Sequence, residues 1–293
     1  MAKRLGFIGL GNMGSRLAKN LAEGSGRIIV WDRSPDRRAS TTSHGIEQHN
    51  TIADLVSETD VIFLSISDDN AVREVIGEMT SHDLGGKIIV DFSTIAPETS
   101  VDVASLVSSK GGRMLDAAVS GSTPQVESRQ LTIFVGGPQD SFDAVRSLIE
   151  PLGRAVYHMG GNGSGLKMKL CVNALLGIGI ASLAESLTLA QKLGLDKDRA
   201  IEALAGTAVI SPSQQSKLEL AKKNDYSHPS FSLGLMHKDL SLIMQEALSH
   251  ALTLPVTAAA EDLAEQSMKT GAAKDFGVMI QTSEQLANVS QEK

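Results

Sequence analysis

Gly9-Leu10-Gly11-Asn12-Met13-Gly14 is the stretch whose reading decides the fold. It follows a short apolar run at 5–8 and opens a helical pattern over 13–23. Each glycine has a physical reason to be there. Gly9 permits a tight turn, Gly11 lets the backbone approach a pyrophosphate, and Gly14 lets the helix pack closely on the strand. The phosphate would lie over the helix N-terminus, where unpaired N–H groups and the helix dipole favour an anion. Asn12 and Met13 lie between these glycines and are grouped with them as cofactor-binding residues.

Working outward, a second strand pattern over 27–31 ends at Asp32. That is close to the spacing of about 20 residues at which a ribose-binding carboxylate is expected. Strand, glycine turn, helix and second strand together are a dinucleotide site, not a lone glycine motif. Asp32 can accept from both adenosine ribose hydroxyls and would repel a 2′-phosphate, which favours NAD. Arg33 and Ser34, with Arg37 and Arg38 behind them, could instead bind that phosphate and favour NADP. Arg37 and Arg38 read first as a solvated turn, so the balance falls towards NAD.

The same alternation continues. Further strand patterns fall at 61–64, 87–92, 114–119, 131–135 and 155–158, and helical patterns at 51–57, 70–79, 97–108 and 140–150. Short Ile/Val/Leu runs without period-two alternation suit strands buried on both faces. After about Gly163 the strands stop. A long helical pattern over 165–193 is followed by others at 197–205, 213–222, 238–248, 256–269 and 275–286. The expected fold is α/β: a Rossmann-type doubly wound, mainly parallel sheet followed by an all-α domain, with a long interdomain helix. The Gly-rich segment 160–165 is the natural hinge, giving a dinucleotide-binding domain at 1–163 and a substrate and dimerisation domain at 164–293.

Composition narrows the function classes. The chain has 293 residues, formal charge -7, 42% apolar and 3% aromatic residues, and one cysteine. It can bury a large core, and its single Cys171 excludes an internal disulfide framework and a multi-cysteine zinc site. Net acidity with few aromatics disfavours nucleic acid. The longest uninterrupted apolar run, 174–184, is short of the roughly 20 residues that span a bilayer. No membrane partner and a cytoplasmic location are therefore expected. The histidines show no metal-binding spacing, so no metal is expected.

Lys169 and Asn173 lie four apart on the long helix and share a face. Directly after the hinge, they would stand near a cleft of the kind that holds small molecules. By spacing alone Lys167 is equally available. Asp91-Phe92-Ser93-Thr94 ends a strand at the carboxyl edge of the sheet, where ligands bind in open α/β folds. Ser120-Gly121-Ser122 offers small residues and amide groups suited to a carboxylate. Cys171, two residues past Lys169, faces another side of the helix and reads as a packed thiol.

These motifs, in order, resemble the β-hydroxyacid dehydrogenase family, which includes 3-hydroxyisobutyrate dehydrogenases and the tartronate and glyoxylate/succinic semialdehyde reductases. The resemblance rests on GFIGLGNMG at 6–14, DFSTIAP at 91–97, DAAVSGS at 116–122, GSGLKMKLCVN at 163–173 and FSLGLMHKDL at 231–240. It implies an NAD(P)-dependent oxidoreductase, moving a hydride between nicotinamide and a small β-hydroxy acid or the matching carboxylated aldehyde. Lys169 stands at the catalytic lysine position, and Asn173 at that of the asparagine that helps orient substrate. Ser120 and Gly121, with Ser122 beside them, match the carboxylate-binding turn. Thr94 matches a residue near both nicotinamide and substrate. Phe231, Lys238 and Asp239 match positions that close over the cofactor and site. Leu64, Ser65, Ile66 and Ser67 match the segment along the adenosine side. The family is often dimeric or tetrameric, and a long helix beside an aliphatic domain suits a homo-oligomer. Ala118 and Ser122 depart from the commoner DAPVSGG, which bears on the substrate subclass and not on the reaction.

The alternatives are an imine reductase-like enzyme, against which Lys169 counts, and a non-catalytic cofactor-binding homologue, which could lose Lys169 without cost. Ser164-Gly165-Leu166-Lys167 and Lys269-Thr270-Gly271 match the SxxK and KTG motifs of β-lactam-binding serine enzymes. No SDN motif lies between them, and KTG falls in a helical region where that fold needs a strand. The acidic chain does not exclude an anionic substrate, because distant surface charges are screened beyond roughly 8–10 Å.

Overall fold

A computed structural model describes residues 3–42 and 44–289. The ends of the two expected domains, residues 1–2 and 290–293, lie outside the described residues. The chain divides into two compact units, Met1–Lys169 and Leu170–Lys293.

The first unit is built on eight strands: β1 (Leu5–Ile8), β2 (Ile28–Trp31), β3 (Ile46–Gln48), β4 (Val61–Leu64), β5 (Ile88–Asp91), β6 (Arg113–Ser120), β7 (Leu131–Gly136) and β8 (Gly153–Gly160). Their spatial order is β3-β2-β1-β4-β5-β6-β7-β8. β1 to β6 run parallel in the doubly wound order, whereas β7 pairs antiparallel with β6 and β8 runs parallel to β7. Between them lie α1 (Gly14–Ser25), α2 (Pro35–Ser40), α3 (Ile52–Glu58), α4 (Asp69–Met79), α5 (Pro97–Ser109), α6 (Thr123–Glu127) and α7 (Gln139–Ile149).

The unbroken apolar strands are explained by two cores, one on each face of the sheet. Along β4, Val61 and Phe63 enter one core, and Ile62 and Leu64 enter the other. Each residue flips face, but both faces are covered, so no polar alternation is needed. Three phenylalanines from neighbouring strands stack through the first core, Phe7 on Phe63 at 6.3 Å and Phe63 on Phe92 at 5.9 Å.

The second unit is helical. α8 (Ser164–Lys192) passes from the first unit into it, followed by α9 (Lys197–Ala205), α10 (Pro212–Lys223), α11 (Leu233–Ser249), α12 (Pro255–Ser267) and α13 (Met279–Leu286). Leu183, Leu187, Ile201, Leu218, Leu240 and Ile280 belong to its core. Pro212 and Pro255 open their helices, where a missing N–H costs nothing.

Two expectations need amending. α11 begins at Leu233, not near 238, because Ser232 caps it through the Leu235 amide. By length and composition α8 is also long and apolar enough to cross a membrane. The run at 174–184 understated this, since apolar residues resume beyond Asn173 and Glu185. A share of 39% of its richest window is buried within the protein, with Leu183, Ala184 and Leu187 in the helical core.

Candidate active site

The Gly-rich turn is held as its residues require. Gly9 adopts φ +95°, and a Cβ there would stand 2.3 Å from the Ser65 carbonyl oxygen. A Cβ on Gly14 would meet the Gly9 carbonyl oxygen at 1.9 Å, so the helix can approach the turn this closely only without a side chain. A Cβ on Gly11 would meet nothing within 4 Å. The start of α1 has no side-chain cap, as at α5 and α7, while α2, α3 and α4 are capped by Ser34, Thr51 and Asp68. Open space above Gly11 and an uncapped helix start fit a pyrophosphate.

Asp32 does more than wait for a ribose. Its Oδ2 accepts from the Leu10 amide at 2.7 Å and its Oδ1 from the Ser34 amide at 2.8 Å, and the side chain is buried. It therefore braces the glycine turn against the end of β2. Arg37 stands 3.9 Å from Oδ2, and Arg38 donates to the Asp32 carbonyl oxygen. Arg37 also lines a polar cavity of about 340 Å³ with Gly11, Asn12, Ser15, Lys19 and Thr41. Arg37 is exposed, as a solvated position should be, and it also faces this cavity. Ser15 and Lys19 are four apart along α1 and share a face, and Gly11 lies in the turn before it.

The carboxyl ends of β4 and β5 are tied together. The Ile66 amide donates to Ser93 Oγ at 2.8 Å, and the Phe92 amide to the Leu64 carbonyl oxygen at 2.8 Å. These bonds set the 64–67 segment beside Thr94. Asp91 is buried and accepts from the Ser93 amide at 2.8 Å. Burial is the main force raising its pKa, to about 6, with Asp116 in register on β6 adding repulsion. The folded protein therefore holds this proton more tightly than the unfolded chain. Its contribution to stability is present at acid pH and is lost as pH rises through about 6. Replacing Asp91 by Asn should remove that slope. The stability difference between Asp91→Asn and the parent should change by roughly 1–2 kcal/mol between about pH 5 and about pH 8 in urea titrations. Parallel stability curves would count against it.

At Ser120-Gly121-Ser122, Gly121 adopts φ +137°, and a Cβ would press on Leu131 Cδ2 at 2.7 Å. Ser122 is already engaged: its amide and hydroxyl both donate to Gln125 Oε1, at 2.9 and 2.7 Å, and it opens α6.

The helix α8 separates the two lysines that spacing could not. Lys169 is buried, and Lys167 is exposed. α8 begins on Asp116, whose carboxylate accepts from the Gly163 amide at 2.6 Å and the Leu166 amide at 3.1 Å. Burial raises the Asp116 pKa, and these amides oppose the shift. Cys171 is exposed on the side away from Lys169, so it is not the packed thiol expected. Two helical positions turn a side chain by about 200°, and Lys169 takes the buried side.

Within the helical unit, Asn173 is buried and its Nδ2 donates to Asp239 Oδ2 at 2.5 Å. Asp239, also buried, pairs with Lys238 Nζ at 3.2 Å through its Oδ1. Asn173 Oδ1 has no hydrogen-bond partner, an acceptor left for a ligand. Phe231 is half-buried just before α11. Among the described residues, no group of three or more His, Cys, Asp or Glu could hold a metal ion. Lys269 and Thr270 fall in a 3-10 turn, not in the strand that a β-lactam-binding fold needs.

Comparison with known proteins agrees with this geometry. Residues 4–161 match the model of the NAD binding domain of 6-phosphogluconate dehydrogenase. Residues 163–283 match that of the NAD-binding domain of NADP-dependent 3-hydroxyisobutyrate dehydrogenase. The chain is 35% identical to 2-hydroxy-3-oxopropionate reductase of Escherichia coli, over 97% of this chain and 98% of that protein. It is 31% identical to 2-(hydroxymethyl)glutarate dehydrogenase of Eubacterium barkeri, over 98% and 97%. The structure of Mycobacterium tuberculosis 3-hydroxyisobutyrate dehydrogenase with L-serine superposes with TM-score 0.87 at 27% identity, covering 96% of this chain and 99% of that one. The chain therefore belongs to the β-hydroxyacid dehydrogenase family, as an NAD(P)-dependent oxidoreductase acting on CH–OH groups.

Proposed function

We propose that the protein interconverts a small β-hydroxy acid and its carboxylated aldehyde, with Lys169 as general acid and base. The observation that carries this reading is Lys169 buried one helical turn from Asn173, whose Oδ1 is an unpaired buried acceptor. Bound nicotinamide supplies or takes the hydride at the carbonyl carbon. In reduction, Lys169 Nζ gives a proton to the carbonyl oxygen as that oxygen gains negative charge, and takes it back in oxidation. Asp239 accepts from the Asn173 NH2, which leaves Oδ1 to accept from the hydroxyl of the β-hydroxy acid and fix its pose. Ser120 and Gly121 bind the substrate carboxylate, with Thr94 beside them; Ser122 supports the turn through Gln125. Phe231, Lys238 and Asp239 serve the cofactor side, and residues 64–67 the adenosine side. The functional boundary we propose is 163/164; the start of α8 at Ser164 supports it, although the compact units divide six residues later, at 169/170.

The substrate class follows the relatives, whose names are those of enzymes acting on small hydroxy and oxo acids. Nicotinamide absorbance with tartronate semialdehyde, succinic semialdehyde, glyoxylate and 3-hydroxyisobutyrate, each with both cofactors, tests it. Activity with none of them would overturn the substrate class. A homodimer or homotetramer is supported by Leu175 and Leu189, exposed on the face of α8 opposite its buried stripe.

For the cofactor we propose a preference for NADP over the NAD that the sequence favours, and the surroundings of Asp32 support it. Asp32 already accepts two backbone amides, and Arg37 stands beside it. Lys19 and Arg37 line the cavity next to the turn. A 2′-phosphate there would gain charge-assisted bonds worth about 10- to 100-fold in affinity. Arg37→Ala should therefore lower kcat/KM for NADP by about tenfold and leave that for NAD nearly unchanged. Equal losses with both cofactors would refute the assignment.

A further inference from the structure

A buried charge pair lies in the helical unit, apart from the residues assigned above. Lys217 Nζ meets Asp275 Oδ1 at 2.8 Å and Oδ2 at 2.9 Å, and both side chains are almost fully buried. Burial pulls the Lys217 pKa down, and Asp275 opposes that shift. Such a pair is a poor device for stability alone, because well-packed apolar residues often serve as well. What it touches is more informative.

Asp275 Oδ2 accepts from the Ser230 amide at 3.0 Å and the Ser230 hydroxyl at 3.2 Å, and Oδ1 accepts from the Gly277 amide at 2.9 Å. Lys217 Nζ also lies 3.2 Å from Ser230 Oγ and 4.3 Å from the centre of the Phe276 ring. Phe276 meets Phe231 edge to face at 5.9 Å, and its amide donates to the Phe231 carbonyl oxygen at 3.1 Å. One residue on, Ser232 bridges to Asp275. The Leu233 and Gly234 amides then donate to the carbonyl oxygens of Lys274 and Ala272, at 2.7 and 2.9 Å. The loop before α11 is irregular and would be mobile if left to itself. The ties from residues 230–234 to other segments run to residues 272–276 and to Lys217.

We propose that Lys217 and Asp275 are positioning residues: their buried pair fixes the ring of Phe231 and the start of α11, the helix that carries Lys238 and Asp239, before cofactor binds. The proposal rests on the assignment of Phe231 to the cofactor. It predicts that the cofactor meets an ordered surface and spends none of its binding energy on ordering this loop.

The test uses the double variant Lys217→Met/Asp275→Leu, which removes both charges together and leaves neither buried alone. It should fold, with a lowered Tm because the Ser230 and Gly277 amides lose their acceptor. Hydrogen exchange across residues 226–235 should accelerate, and the cofactor KM should rise about tenfold while kcat changes much less. Exchange as slow as in the parent, or an unaltered cofactor KM in the folded variant, overturns the proposal. Phe231→Leu, which keeps the pair, tells the two readings apart. An unaltered KM in both variants with fast exchange in the double traces the failure to the cofactor assignment of Phe231. An unaltered KM in the double alone traces it to the pair. If the double variant does not fold, Asp275→Asn is read by the same exchange and KM measurements, with the same outcomes deciding.

Discussion

Lys169→Ala should lower turnover by about 10²- to 10⁴-fold, the range a positioned proton donor contributes. Its cofactor affinity should stay within about twofold of the parent, because the glycine turn, Asp32 and Arg37 are untouched. Lys169 is buried, so truncation leaves a gap, but it is one long flexible side chain at the start of a 29-residue helix. The fold should survive, and a thermal melt checks that. The informative comparison is Lys167→Ala, two residues away and exposed, which should have near-parent turnover. Single-turnover kinetics with the reduced cofactor would isolate the chemical step. Parent-like turnover in Lys169→Ala would remove the proposed acid–base role while leaving the family assignment intact. A loss shared equally by Lys167→Ala would point to helix stability as the cause.

The glycine turn gives the second large effect, as a contrast between two substitutions. Gly14→Ala places a methyl group 1.9 Å from the Gly9 carbonyl oxygen, a backbone atom that cannot swing aside. α1 must then shift from the turn, at a cost of about 1–3 kcal/mol or more. Cofactor binding should fall along with stability. Gly11→Ala adds its methyl where nothing lies within 4 Å. Stability should be within about 0.5 kcal/mol of the parent or slightly higher, since alanine restricts the unfolded chain. Cofactor affinity should nevertheless fall by about tenfold or more, because the methyl occupies the approach to the pyrophosphate. Denaturant melts and a cofactor titration on both variants check this. If Gly11→Ala binds normally, the open space above Gly11 is not where the pyrophosphate sits.

Where the sequence reading was right, the information was local. The strand and helix alternation was legible because sheet strands covered on both faces must be apolar throughout, as β4 is. The start of α1 was legible because the tight turn needs Gly9 and the close packing of the helix needs Gly14. The elements missed were those with weak local signals. β3 has three residues with no buried member, and α2 and α6 are five or six residues long. Their placement comes from pairing with β2 and from caps at Ser34 and Ser122, not from periodicity.

The chain by itself therefore determined the doubly wound order, the glycine site, the helical second unit and the family, because each depends on residue type at fixed short spacing. Only the tertiary structure showed that Lys169 is buried and Lys167 exposed. It alone showed that Asp32 braces the turn with both oxygens and that Ser122 is held by Gln125. It alone brought Lys217, Asp275 and Phe276 around the approach to Phe231. The reason is the same in each case. Burial and hydrogen-bond partners are set by residues distant in sequence, as with Asp239 and Asn173 or Asp275 and Lys217, and no spacing rule encodes which side chain will meet them.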